Sequence, residues 1–109
     1  MAVKHKLLDT APEQVPHEFA QAVIDFCKPI DAISEGYVGL TEITVDFQNP
    51  YQQLAAAFVL SPEDVEHVEL VAERFDSTMP ADVLAGGCNV LDGPGVEVWR
   101  KQAQRVFTR

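Results

Sequence analysis

Cysteine is scarce in this chain of 109 residues: Cys27 and Cys88 are the only two. They cannot form a disulfide framework, and they do not make a C-x-x-C pair. Neither a stapled secreted scaffold nor a dithiol or zinc-ribbon site is therefore expected. Basic residues are scarce as well, eight Lys and Arg against seventeen Asp and Glu, for a formal net charge of −9. All seventeen acids lie between Asp9 and Glu97, where only Lys28 and Arg74 oppose them, so that span carries −15 (2 − 17). A field of this sign repels phosphate backbones and anionic lipid, so neither nucleic acid nor membrane is an expected partner. Long apolar runs are missing too. The longest, Leu54 to Leu60, is strand-sized, well short of the ~18–20 residues that span a bilayer. Met1 to Lys6 leads into no apolar stretch of the kind a secretory signal needs, and the cytoplasm is the expected compartment.

Apolar core material is present. Apolar residues make up 47% of the chain, with six Phe, two Tyr and one Trp, which separates it from a disordered acidic tail. The length suits one core. Residues 1–15 show no periodicity and read as an irregular N-terminal arm, followed by a single domain over 16–109. The acidic surplus is compatible with three uses: solubility, docking of a basic protein, or adaptation to high salt.

Phe19, Val23, Phe26, Cys27 and Ile30 recur at helical spacing and predict a helix from about Pro16 to Lys28, bounded by Pro29. The period then becomes two. Thr41, Ile43, Val45 and Phe47 alternate with Glu42, Thr44, Asp46 and Gln48, as in a half-buried strand that Tyr37 to Leu40 extends. Asn49-Pro50 signals a turn, and Leu54 to Leu60 reads as a second, more buried strand antiparallel to the first. Ser61-Pro62-Glu63-Asp64 has the grammar of a helix start, with Ser61 as N-cap, and predicts a second helix from Pro62 to about Asp76. Its inward stripe is Val65, Val68, Ala72 and Phe75, supplemented by Val71. Met79 to Leu84 is compatible with a strand or a helical turn. Gly86-Gly87 and Gly93-Pro94-Gly95 read as loops, Val96 to Gln104 as a short helix with Trp99, Ala103 and Val106 on one side, and Val106-Phe107 as an edge strand. The expected fold class is α+β: a small antiparallel sheet with helices packed on one face, in the order α-β-β-α, and a mixed β/α tail. The expected core is Phe19, Val23, Phe26, Ile43, Val45, Phe58, Leu60, Val68, Ala72 and Phe75.

Motifs with chemistry are sparse. His5, His17 and His67 form neither H-x-x-x-H nor H-E-x-x-H, and Gly93-Pro94-Gly95 lacks the spacing of a phosphate-binding loop. No catalytic residue, cofactor or metal is expected. Cys88 follows Gly86-Gly87, which could present backbone amides to an oxyanion or could form only a turn. The densest feature is acidic: Glu63, Asp64, Glu66, Glu69, Glu73 and Asp76 fall within fourteen residues, offset by Arg74. Such a row is either a solvated helix face or a docking surface for an electropositive partner. Glu63, Glu66, Glu69, Glu73 and Asp76 are the candidate partner-binding residues.

The Pro16-His17-Glu18-Phe19 helix start, Ile33 to Val45 as first strand, Leu54 to Leu60 as second, the acidic second helix and the Val106-Phe107-Thr108-Arg109 ending together carry a resemblance. Across most of 16–109 the chain resembles the C-terminal domain of the bacterial enhanced serine sensitivity protein (SseB) family. The resemblance rests on pattern, and the segment from Gly86 to Gly95 departs from it. It implies an α+β fold and no established enzymatic activity, and it carries over no site residue. Three functions stand side by side. The first is a non-enzymatic acidic binding or regulatory domain, in one version an immunity or inhibitor protein that covers a nuclease-like toxin's basic site. The second is a small-molecule sensor with a pocket near the glycine loops, and the third a cysteine-dependent enzyme built on Cys88. Nothing in the sequence speaks to oligomeric state.

Overall fold

The computed structural model describes residues 3–61, 66–81 and 87–109. Helix α1 spans His17–Cys27. Phe19, Val23, Phe26 and Cys27 form its buried stripe, and Gln21 donates a hydrogen bond to Asp25 one turn on along the wet face. Proline at 29 lacks the amide a further turn would need, so the chain breaks there. Carbonyls at this end, those of Cys27 and Ile30 already accepting from the Ile30 and Ile33 amides, gain a further donor from far away in sequence. The Arg109 guanidinium donates to the carbonyls of Cys27, Ile30 and Ile33, each at 2.9 Å, and stacks 5.3 Å from the Phe107 ring centroid.

The sheet is organised around β2, Ile33–Val45, which pairs antiparallel with β3, Tyr51–Leu60, along one edge. Two short strands share the other edge end to end. Strand β1, Val3–Leu7, lies against Thr41 to Val45, and β5, Gln104–Thr108, against Glu35 to Val38. The stretch 1–15 is therefore not irregular throughout. Its Val-Lys-His-Lys-Leu alternation is a strand pattern too short to register before a partner is known. Among the described residues β1 pairs only with β2. Lys4 and Lys6 project from it on one face, a charge pattern that discourages a second copy from adding to this edge.

Where β1 ends and β5 begins, Thr10 closes the seam. It is 4% exposed; its hydroxyl accepts from the Leu40 amide at 2.8 Å and donates to the Leu8 carbonyl at 3.1 Å. Its amide donates to the Gln102 carbonyl, and its carbonyl accepts from the Gln104 side chain.

Beyond β3 comes α2, Val68–Thr78, then β4, Cys88–Leu91, then α3, Gly93–Gln102. The α+β class is as expected, with corrections inside it. Strand β4 runs parallel to β3, with Ala56 opposite Cys88 and Val59 opposite Leu91, so the five-stranded sheet is mixed and not purely antiparallel. Nor do the helices share one face. Helices α1 and α2 cover the side bearing Val38, Ala56 and Phe58, while α3 covers the side bearing Tyr37, Ala55 and Ala57. Gly93-Pro94-Gly95 is not a loop but the first turn of α3, where a proline forfeits no helical bond. Val106 lies in β5, as the edge-strand expectation had it, and not on the helix side with Trp99.

The larger core is centred on Phe26, Phe58 and Phe75, whose ring centroids lie 5.1–5.9 Å apart in tilted and edge-on contacts. Phe19, Val23, Ile43 and Leu60 are also buried as expected; Val45, Val68 and Ala72 are only half-buried. Phe47 is displaced from its expected inward place. Strand β2 ends at Val45, and Phe47 sits in the turn with φ of 64°, fully exposed. The smaller core joins Trp99 of α3 and Ala103, which caps its C-terminal end, to Tyr37, Ala55 and Ala57. Close approach there requires Gly39, because a Cβ at that position would lie 2.7 Å from Leu7 Cδ1 and 2.8 Å from Trp99 Cζ3. The expected Ser61 cap with Pro62 to Asp64, and the strand or turn expected from Met79 to Leu84, depend on residues outside the described ones.

Candidate functional site

Helix α2 buries Val71 and Phe75 against the sheet, and its 3.6-residue period turns Glu69, Glu73 and Asp76 outward; Glu66 precedes the His67 N-cap, and all four are exposed. Glu63 lies outside the described residues. None of these four carboxylates has an ion-pair partner among the described residues. Within the row sits Leu70, 48% exposed, with Glu66 one turn before it and Glu73 one turn after. Counting charges along the sequence does not reveal this leucine. Its exposure follows from the orientation that burying Val71 and Phe75 imposes on the helix.

The thiols are not activated. Burial, and then the negative charge of Asp76, push the Cys88 thiol up to about 11. Burial pushes Cys27 up to about 12, with Arg109 opposing it. At neutral pH a thiol near 11 is ~10⁻⁴ thiolate. Cys88 is a half-buried residue of β4, contributing to the α1/α2 side of the core, and its neighbour Gly87 has a φ of 78°. Histidines at 5, 17 and 67 lie at three separate places: on β1, at the first turn of α1, and at the N-cap of α2. Among the described residues no three His, Cys, Asp or Glu are placed to hold a metal ion.

Tertiary structure assembles a polar cluster that sequence spacing could not show. The Tyr37 hydroxyl donates to Glu35 at 2.9 Å and accepts from Arg100 Nε at 3.2 Å, while Arg100 Nη2 meets the second Glu35 oxygen at 2.7 Å. Arg105 approaches Glu35 at 3.4 Å. Burial alone would raise the Glu35 carboxyl, but the hydrogen bonds from Arg100, Tyr37 and Arg105, with the Arg100 charge, hold it below the usual carboxylate range. Burial also raises the Tyr37 phenol, keeping it neutral. The cluster clamps α3 and β5 onto β2, and it is not arranged as a nucleophile with its base.

A cleft of about 390 Å³ opens on the α3 side of the sheet, beside that helix. Among the described residues, His5 and Leu7 of β1, Thr41 of β2, Ala55 of β3, Gly87, Asn89 of β4 and Trp99 of α3 line it. Of the two glycine segments, only Gly87 is among the described residues that line this cleft. Gly93 borders a different cavity, lined largely by Val59, Leu60, Val68, Val90, Leu91 and Val96. Of the cleft residues, His5 drew attention in the sequence only as an isolated histidine. Its neighbours come from four other elements, and no local signal could have grouped them.

Compared with protein-family models, curated proteins and solved structures, the chain finds no match. No helix of the described residues is long and apolar enough to cross a membrane.

Proposed function

We propose that the chain is a non-enzymatic, acidic binding domain that acts in the cytoplasm and docks a protein partner through the outer face of α2. The observation that supports this is the exposed Leu70 framed by Glu66, Glu69 and Glu73. In such a patch the apolar side chain, once covered, slows dissociation, and the charges around it steer encounter with a basic partner. Like charges one turn apart cost helix stability, so a stripe kept for solubility alone would gain from interspersed lysines. The partner presents a basic surface with an apolar recess. An inhibitor or immunity protein covering the basic site of a nuclease-like toxin is one such arrangement, and the resemblance to SseB C-terminal domains belongs to the same non-enzymatic reading.

The test is a binding time course with partners captured from the native host, at two ionic strengths. Three proteins are compared: the parent, a Glu66→Gln/Glu69→Gln/Glu73→Gln variant, and Leu70→Ala. The triple change should slow association, as added salt does, and leave folding intact or improved by a few tenths of a kcal/mol per relieved pair. Leu70→Ala should mainly speed dissociation. Equal kinetics for all three proteins would remove the function from α2.

A further inference from the structure

The outer edge of β1 carries an inference independent of the α2 surface. Among the described residues β1 pairs with β2 alone, and Val3, Lys4, His5 and Lys6 are exposed. The Leu8 amide donates to the Leu40 carbonyl, which sets the phase of the ladder. In an antiparallel pair every second residue turns its backbone groups away from the partner. Lys6 and Lys4, two and four residues before Leu8, therefore bond to β2, and the amides and carbonyls of Val3, His5 and Leu7 face outward. No described residue bonds to them there.

Lys4 and Lys6 stand on one face of the strand, ~7 Å apart at the usual rise. Neither has an ion-pair partner among the described residues. Glu42 lies opposite Lys6 on β2 without closing a bridge to it. Their sign is unusual in a chain with seventeen acids and eight bases, since charge of either sign keeps a second copy off an edge. The fold brings both termini to the same side of β2, and β1 and β5 together hold Lys4, Lys6 and Arg105 with no acid. These two strands carry +3, and the remainder of the chain −12 (−9 − 3). Arg105 is engaged with Glu35, so the lysines are the uncommitted cations of the two strands. On the other face of β1, Val3 is 52% exposed beside Val45.

We infer that the outer edge of β1 takes an extended segment of a partner protein as an added strand, acidic at the alternate positions that meet Lys4 and Lys6 and apolar on the Val3 face. Main-chain bonds to Val3, His5 and Leu7 supply the affinity, and the two lysines select by charge. At 0.1 M salt charges act over ~10 Å, so lysines in contact decide over acids beyond that reach.

The probe is a capped heptapeptide, Glu-Val-Glu-Val-Glu-Val-Glu, titrated into the ¹⁵N-labelled parent, with Lys-Val-Lys-Val-Lys-Val-Lys as the control of opposite charge. The acidic peptide should shift the Val3, His5 and Leu7 amides saturably at sub-millimolar to millimolar concentration and slow their hydrogen exchange. The basic peptide should do neither. Lys4→Glu/Lys6→Glu should reverse the preference and weaken the acidic peptide about 5–10-fold, the equivalent of two opposite-charge cross-strand pairs. His5→Pro removes an outward amide and leaves the bonds to β2 in place, so it should weaken the acidic peptide while melting close to the parent. The Glu66→Gln/Glu69→Gln/Glu73→Gln variant should bind as the parent does, which separates this edge from the α2 surface. Unmoved β1 amides with the acidic peptide overturn the inference. So does an equal response to the basic peptide, or an unchanged preference after the lysine reversal. Shifts of the β1 amides on dilution of the protein alone also overturn it, because they assign the edge to a second copy.

Discussion

Thr10→Val isolates what one hydroxyl contributes to holding two strands on one sheet edge. Valine matches threonine in shape, so packing in the seam changes little while the hydroxyl is lost. The Leu40 amide then loses its acceptor at 2.8 Å and the Leu8 carbonyl loses its donor at 3.1 Å, at a residue only 4% exposed. An orphaned buried amide costs about 1–3 kcal/mol. The Leu8 carbonyl loses less, because its second lone pair and nearby solvent remain. A total of about 2 kcal/mol follows, equivalent to a fall in melting temperature of roughly 10 °C for a domain of this size. Urea unfolding should show a lower midpoint with an unchanged slope. Thr10→Ser keeps the hydroxyl and should recover most of the loss. The local signature is hydrogen exchange: the Leu40 amide should lose protection beyond the global loss, while amides in the centre of β3 follow stability alone. If Thr10→Val melts with the parent, or if serine and valine are equally destabilising, the hydroxyl does not hold the seam.

Three further outcomes follow from the packing and the charges. Phe75→Ala, which opens a void between Phe26 and Phe58, should cost about 3–5 kcal/mol in denaturant unfolding; a parent-like midpoint would mean α2 is turned differently. Gly39→Ala should cost about 1–3 kcal/mol by forcing α3 away from the sheet, visible as a shifted Trp99 emission maximum, and unchanged emission and stability would refute the close approach. Glu35 has a folded-state pKa lowered from its ordinary value of 4.5. Its contribution is therefore fully present above that value and is lost as pH falls through the folded value. Glu35→Gln should flatten the acid limb of the stability–pH profile, and a limb as steep as the parent's would show that the clamp does not carry it.

Much of the local structure could be read from residue order, and the reasons are local. The stripe Phe19, Val23, Phe26 and Cys27 makes a helix wherever there is a core to cover, and Pro29 ends it by its own chemistry. Alternation around Ile43 and the run Leu54 to Leu60 needed only a period and a length to be recognised as strands. Exposure of Glu69, Glu73 and Asp76 followed from the same helical period that buries Phe75. Phe47 was misplaced because alternation continues past the point where the backbone turns, and the turn depends on where β3 comes back.

What residue order left open is partnership. Val3 to Leu7 is five residues long, half polar, and becomes a strand only because β2 offers an unpaired edge. Cys88 to Leu91 is shorter still, and it lies parallel to β3 only because α2 carries the chain back across the sheet. Whether α3 covers the same face as α1 depends on which sides of β2 and β3 are lined with residues small enough to admit it, and Gly39, Ala55 and Ala57 settle that jointly. Thr10 with Leu40, Glu35 with Arg100, and Arg109 with Cys27 are separated by 30, 65 and 82 positions. The cleft inherits this dependence, since its walls come from five elements. Periodicity is set by how each residue faces its near neighbours, so the chain alone determined its helices, its longer strands and its acidic face. A seam, a clamp or a cleft requires groups that meet only after the backbone has closed, and those the tertiary structure decided.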